Sequence, residues 1–111
     1  MEDLLLKEAR EKGLADERGL YIACNVVRDG AALGRVWAFL KETRIFLCDL
    51  EFPAGLGRVL QTLELEGARA EVVRFLIPVA LILDTQQGHF ELRGFRDAKK
   101  FLEAVREICE K

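Results

Sequence analysis

"DTQQGHFELRGFRDAKKFLEAV", residues 84–105, changes its hydrophobic period halfway along. Up to Phe95 apolar and polar side chains alternate, with Phe90 and Leu92 on one side and His89, Glu91 and Arg93 on the other, which is the two-residue period of a half-buried strand. From Ala98 the period becomes 3.6: Ala98, Phe101, Leu102, Val105, Ile108 and Cys109 line one face of a helix, and Lys99, Lys100, Glu103, Arg106, Glu107 and Glu110 the other. Asp97 stands where a carboxylate can accept from the free amides of the first turn, as an N-cap. Before the strand, "QQG" separates "LILDT" from "HFELR" and reads as a hairpin turn.

Upstream the same short-period pattern recurs. In "LYIACNVV" Leu20, Ile22, Cys24 and Val26 share a face, "RDGAALG" reads as a loop, and "RVWAFL" and "RIFLCDL" flank "KET" as a second hairpin. "EFPAGLG" interrupts with Pro53, Gly55 and Gly57 before "RVLQTLELE", and Pro78 divides "ARAEVVRFLI" from "VALILD". About seven strands result. Ahead of them, Glu2 to Lys12 forms a short helix with a thin apolar stripe through Leu5 and Ala9, ended by Gly13. Residues 1–19 are therefore expected to be a helical extension and 20–111 the domain proper.

Composition agrees with one domain. The chain has 111 residues, half of them apolar and 32% charged, enough to hide roughly two thirds of the unfolded surface without a metal or disulfide. No cofactor or metal is expected. The net charge is −2, with six acids and four bases in the first nineteen residues and thirteen of each beyond them. That balance argues against a nucleic-acid partner, which needs a dense basic surface. Cys24, Cys48 and Cys109 are odd in number and lie in apolar surroundings, as buried thiols in a reducing, cytoplasmic setting do. The longest apolar run, "VVRFLIPVALIL", is broken by Arg74 and Pro78 and is too short to span a membrane.

The order of elements, with "LILDTQQGHFELRGFRDAKKFLEAV" as its most specific part, resembles the pleckstrin-homology (PH) superfold, and within it the GRAM and bacterial PH-like domains, over about residues 20–110. The resemblance implies a mainly β fold with helices, a seven-stranded split barrel of two near-orthogonal antiparallel sheets with the C-terminal helix plugging one end. It also implies a noncatalytic binding or scaffold module for a protein partner, self-association, or weak peripheral contact with an anionic lipid surface. Two departures qualify it. Inositol-lipid-binding members carry clustered cations on the first hairpin, where "VVRDGAALGR" has only Arg28 and Arg35 with Asp29 between them. The tryptophan typical of the eukaryotic PH helix is missing, since Trp37 lies in a strand.

Candidate residues fall into three groups. Arg93, Arg96, Lys99 and Lys100 surround the start of the last helix, where free amides and cations together favour an anion. Trp37, Phe39 and Phe46 are interface candidates, because the central hairpin is apolar on both faces and a barrel interior takes only one set. The other face needs the N-terminal helix, a second subunit or a partner. His89 or Asp84 would serve an alternative reading, a small-molecule carrier or enzyme at the barrel mouth. His89 is read first as a hairpin residue, since an outward strand position supplies neither a positioned partner nor a pocket. "AGLGR" lacks the lysine and context of a phosphate loop. The pairs Asp49 with Glu51 and Glu64 with Glu66 read as solvated strand faces. The chain contains no serine.

Overall fold

Residues 3–50, 56–74, 79–95 and 98–110 are described by a computed structural model. Helix α1 (Leu4–Glu11) precedes strands β1 (Tyr21–Arg28), β2 (Ala31–Lys41), β3 (Arg44–Leu50), β4 (Leu56–Glu64), β5 (Arg69–Arg74), β6 (Val79–Thr85) and β7 (Gly88–Phe95), and helix α2 (Lys99–Glu110) follows. The strands pair antiparallel in the order β4-β3-β2-β1-β7-β6-β5. The two sheets expected from sequence are thus one continuous hydrogen-bonded sheet. "EFPA" and Gly55, Pro78, Arg96 and Asp97 lie outside the described residues, so the expected breaks and the N-cap at these positions are not seen.

The expected loop "RDGAALG" is mostly strand. Only Asp29 and Gly30 separate β1 from β2, both with positive φ (48° and 85°), the requirement of a type I′ hairpin turn whose twist suits the flanking strands. Pairing with β1 draws Ala31 and Ala32 into β2 despite their weak strand propensity. The "KET" and "QQG" hairpins form as expected, with Lys41 opposite Arg44 and Thr85 opposite Gly88.

Curvature of the sheet follows from three side-chain bonds. Arg28 donates to the Gln61 amide oxygen on β4 at 3.3 Å and to the Gln87 carbonyl at 2.9 Å, and Gln87 Oε1 accepts from the Glu64 amide on β4 at 3.1 Å. Gln87 lies in the β6–β7 turn. In a flat sheet β7 and β4, four strands apart in the hydrogen-bonded order, would be separated by roughly 19 Å at the usual strand spacing. No glutamine spans that, so the sheet curls until β4 meets the β6–β7 turn. Its concave face holds one core, built from Ile22, Cys24, Val26, Val36, Ala38, Leu40, Ile45, Leu47, Leu63, Leu81, Leu83, Phe90 and Leu92.

At the other end the curl is open. β1 pairs with β2 along its whole length, but with β7 only over Asn25–Arg28. Around Leu20–Cys24 the two halves of the sheet splay apart, and α2 fills the gap. Phe101, Leu102 and Val105 are buried in the same core as the strands, with Ala98 beside them. Each such side chain contributes roughly 1.5–3 kcal/mol when removed from water.

The outer face of β1–β4 holds a second core: Phe39, Cys48 and Leu56 pack against Ala9, Leu14 and Ala15 of the N-terminal segment, with Leu5, Leu6, Tyr21, Trp37 and Phe46 half-buried around them. Helix α1 docks rather than frays. Asp3 caps it by accepting from the Leu6 amide at 3.1 Å, and the Tyr21 hydroxyl also donates to the Asp3 carboxylate. After the helix, Asp16 accepts from the Glu42 amide at 2.7 Å and pairs with Arg18, which donates to the Glu42 carbonyl at 2.8 Å. This clamp holds the β2–β3 turn, where Glu42 adopts a φ of 55°. Burial raises the Asp16 carboxyl, but Arg18 and the Glu42 amide outweigh it and leave the group below its ordinary value. The clamp's contribution is therefore present above the ordinary carboxylate pKa and is lost as pH falls through the lower folded value.

Phe101→Asp places a carboxylate in a site 2% exposed and should cost more than about 4 kcal/mol. Thermal melting followed by circular dichroism should lose its cooperative transition, whereas Lys100→Asp on the exposed side of α2 should melt within a few degrees of the wild type.

Candidate functional site

The first turn of α2 carries no acid and presents Lys99 and Lys100 to solvent. Cations at a helix N-terminus oppose its dipole, by about 0.3–1 kcal/mol each when exposed. Neither lysine pairs with a carboxylate among the described residues. Lys99 borders two grooves, one on each side of the helix. On the β1 side, a groove of about 420 Å³ is lined by Gly19, Leu20, Tyr21, Ala98, Lys100 and Phe101. On the β5 side, one of about 430 Å³ has Val72, Phe95, Ala98 and Leu102 as its apolar floor and Arg74, Arg106 and Glu103 on its rim.

The predicted cation group is thus only partly assembled. Arg93 lies on the outer face of β7, ion-paired with Glu91, and lines neither groove. Arg96 lies outside the described residues. Sequence reading missed Arg74 and Arg106, which join Lys99 only because β5 passes beside α2. Arg106 was legible as an exposed helix position, but nothing local placed Arg74 near it.

Of the interface candidates, Phe39 is fully buried, stacked on Tyr21 with ring centroids 5.2 Å apart. It offers no surface to a partner while α1 is docked, because the intramolecular cover has taken it. Trp37 and Phe46 are half-buried at the margin of the same cluster. Trp37 meets the Tyr21 ring edge-on at 6.0 Å, and its indole N–H is buried without an acceptor among the described residues.

His89 faces outward on β7, as its alternation with Phe90 and Leu92 predicts. Its Nδ1 lies 2.6 Å from Asp84 Oδ1, and its Nε2 3.8 Å from a Glu91 oxygen. Its backbone is held by Asp29, whose carboxylate accepts from the His89 amide at 3.0 Å and whose own amide donates to the His89 carbonyl at 2.8 Å. Asp84 also lines an open groove of about 450 Å³ between β5 and the end of α2, with Arg69, Glu71, Arg106 and Glu110 on its rim. His89 is not part of that groove. Side chains of the described residues pack the barrel interior as one core. Arg28, one of the two cations of "VVRDGAALGR", is committed to the Gln61 and Gln87 bonds and lies over the Phe90 ring at 5.6 Å. The Cys24 and Cys48 thiols are buried, which raises them to about 12 and about 11, far from the range of a reactive thiolate.

The structure is similar to the crystal structure of the pleckstrin homology domain of ArhGAP27, with a TM-score of 0.61 and 16% sequence identity, covering 80% of this chain and 94% of that one. The fold is that of a PH domain. No protein-family model matches the sequence, and no curated protein matches it. In PH terms the seven strands form the bent barrel and α2 its C-terminal plug, with α1 packed on the outside. No helix among the described residues is long and apolar enough to cross a membrane.

The hydrogen bond to Asp84, with the charges of Asp84 and Glu91, holds His89 above its ordinary value of 6.5. A raised histidine stabilises the fold below its unfolded pKa, and the effect fades as pH rises through the folded value. Proton NMR of the single imidazole should give a midpoint above 6.5 that drops in Asp84→Asn. A wild-type midpoint at or below 6.5 contradicts the pair.

Proposed function

We propose that the chain is a noncatalytic binding module, related to the GRAM and bacterial PH-like domains, that docks an anionic group of a protein partner at the first turn of α2. Contact with anionic lipid is the weaker mode of the same surface. The observation that carries this reading is the placement of Lys99 and Lys100 between two apolar-floored grooves, with Arg74 and Arg106 on the rim of one. Free amides of the helix and the lysines attract the same ligand charge, and an acidic ligand would relieve the repulsion that the lysines now meet from the dipole. Arg93 and Arg96, close in sequence, extend the positive field. The filled barrel and the exposed position of His89 favour docking over turnover. Self-association through Trp37 and Phe46 is a further part of the proposal. It draws on the outer margin of the second core, without Phe39.

A glutamate-rich peptide titrated into labelled protein at low salt should shift the amide signals of Lys99, Lys100, Arg74 and Arg106. The shifts should vanish near 0.5 M salt, where screening shortens to roughly 4 Å, and in a Lys99→Glu/Lys100→Glu variant. Shifts centred elsewhere, or indifferent to salt, count against the site. Sedimentation velocity of the wild type and Trp37→Asp tests self-association, and a monomer in both removes it.

A further inference from the structure

We propose that the anionic group met by Lys99 and Lys100 belongs to a second copy of this chain. Two α2 helices pack antiparallel about a two-fold axis, each laying the acids of its last turn against the lysines of the other's first. The inference rests on the anion-site reading and names its partner, and it uses no residue of the Trp37 and Phe46 margin.

Helix α2 is charged against its own dipole at both ends. Its first turn carries Lys99 and Lys100 and no acid, and its last carries Glu107 and Glu110 and no base. Each placement reverses what the dipole favours. A small anion at the first turn would relieve one end and leave the other. A second helix of the same pattern, lying antiparallel, relieves both, because its dipole and its charges run the opposite way.

Position by position the pattern is complementary to itself. Lys99, Glu103, Arg106 and Glu110 are all exposed and fall in one stripe about 60° wide on the helix. In the antiparallel register that sets Lys99 against Glu110 of the second copy, Glu103 falls against Arg106, and the two-fold axis repeats both contacts. Every position of the stripe then faces its opposite sign. A shift of one turn either way sets Glu103 against Glu103 or against Glu110, so repulsion selects the register.

Within one chain the same side chains do less. Arg106 approaches Glu110 only to 3.8 Å, and Lys99 has no carboxylate partner among the described residues. A base four residues ahead of an acid is also the weaker order on a helix. The stripe overlooks open ground: Lys99, Glu103 and Arg106 rim the groove floored by Val72 and Leu102, and Arg106 and Glu110 border the next groove along β5. Exposed ion pairs are individually weak, so the dimer depends on the whole row and on low salt.

Sedimentation velocity of the full chain tests the pairing. A dimer should form at about 10 mM salt, where charges act over roughly 30 Å, and dissociate at about 1 M, where they act over roughly 3 Å. Lys99→Glu and Glu110→Lys each set like charges together twice, by symmetry, and each should weaken the dimer by about tenfold or more. Both changes ease the conflict with the dipole, so each variant should melt at or above the wild-type temperature, which separates a lost dimer from a lost fold. Mixed, the two variants carry complementary stripes. Native mass spectrometry, with one of them isotopically labelled, should show heterodimer well above the half that random exchange gives. A wild type that stays monomeric at low salt overturns the second copy, and if a glutamate-rich peptide still shifts Lys99 and Lys100 the anion site stands without it. A dimer that survives both single changes, or a heterodimer no more abundant than random exchange gives, overturns the α2 pairing.

Discussion

Strands β1–β3 are apolar on both faces, and a sheet of that kind is stable in water only when both faces are covered. Val36, Ala38, Leu40, Ile45 and Leu47 point one way, and Trp37, Phe39, Phe46 and Cys48 the other. The rest of the chain answers this demand. Strands β6 and β7 and helix α2 cover the inner side by curling the sheet back on itself. The outer side, which the barrel cannot reach, takes the N-terminal segment. The two covers are unequal. The inner one shares a core with strands from both ends of the sheet order, whereas the outer one rests on a two-turn helix and a handful of polar tethers.

Closure of the barrel relies on polar side chains at one end and apolar ones at the other. Near the first hairpin, Arg28, Gln61 and Gln87 hold β4 to the β6–β7 turn through directional bonds. At the opposite end no strand pairing among the described residues holds the two halves together, and the gap is plugged by the greasy side of α2. The plug brings its exposed lysines to the rim of the same gap. Cations at a helix N-terminus break a local rule that sequences ordinarily respect.

The PH fold is shared with the ArhGAP27 domain at 16% identity, and a fold by itself leaves the chemistry of the surface to each sequence. Here the first hairpin has been drawn into the framework. Arg28 bonds across the barrel, and Asp29 is fastened to the backbone of His89. The His89–Asp84 pair, which resembles a catalytic couple in isolation, braces the neighbouring hairpin.

Periodicity made the seven strands, both helices and the inner core legible, because alternation and the 3.6 repeat are set by the backbone geometry of each element alone. The Asp-Gly turn was equally legible in principle, since its signal is local, but the alanines after it masked the start of β2. The sequence also announced that the central hairpin had one face too many. What covers that face, and that Phe39 is sealed while Trp37 stays half-buried, was decided only by the docking of α1. Likewise Lys99 and Lys100 were visible as a pair, but the presence of Arg74 and Arg106 beside them depends on how the bent sheet brings β5 to the helix. Local periods are properties of neighbours in the chain. Which elements come to share a surface depends on curvature and closure, and those are properties of the whole sheet.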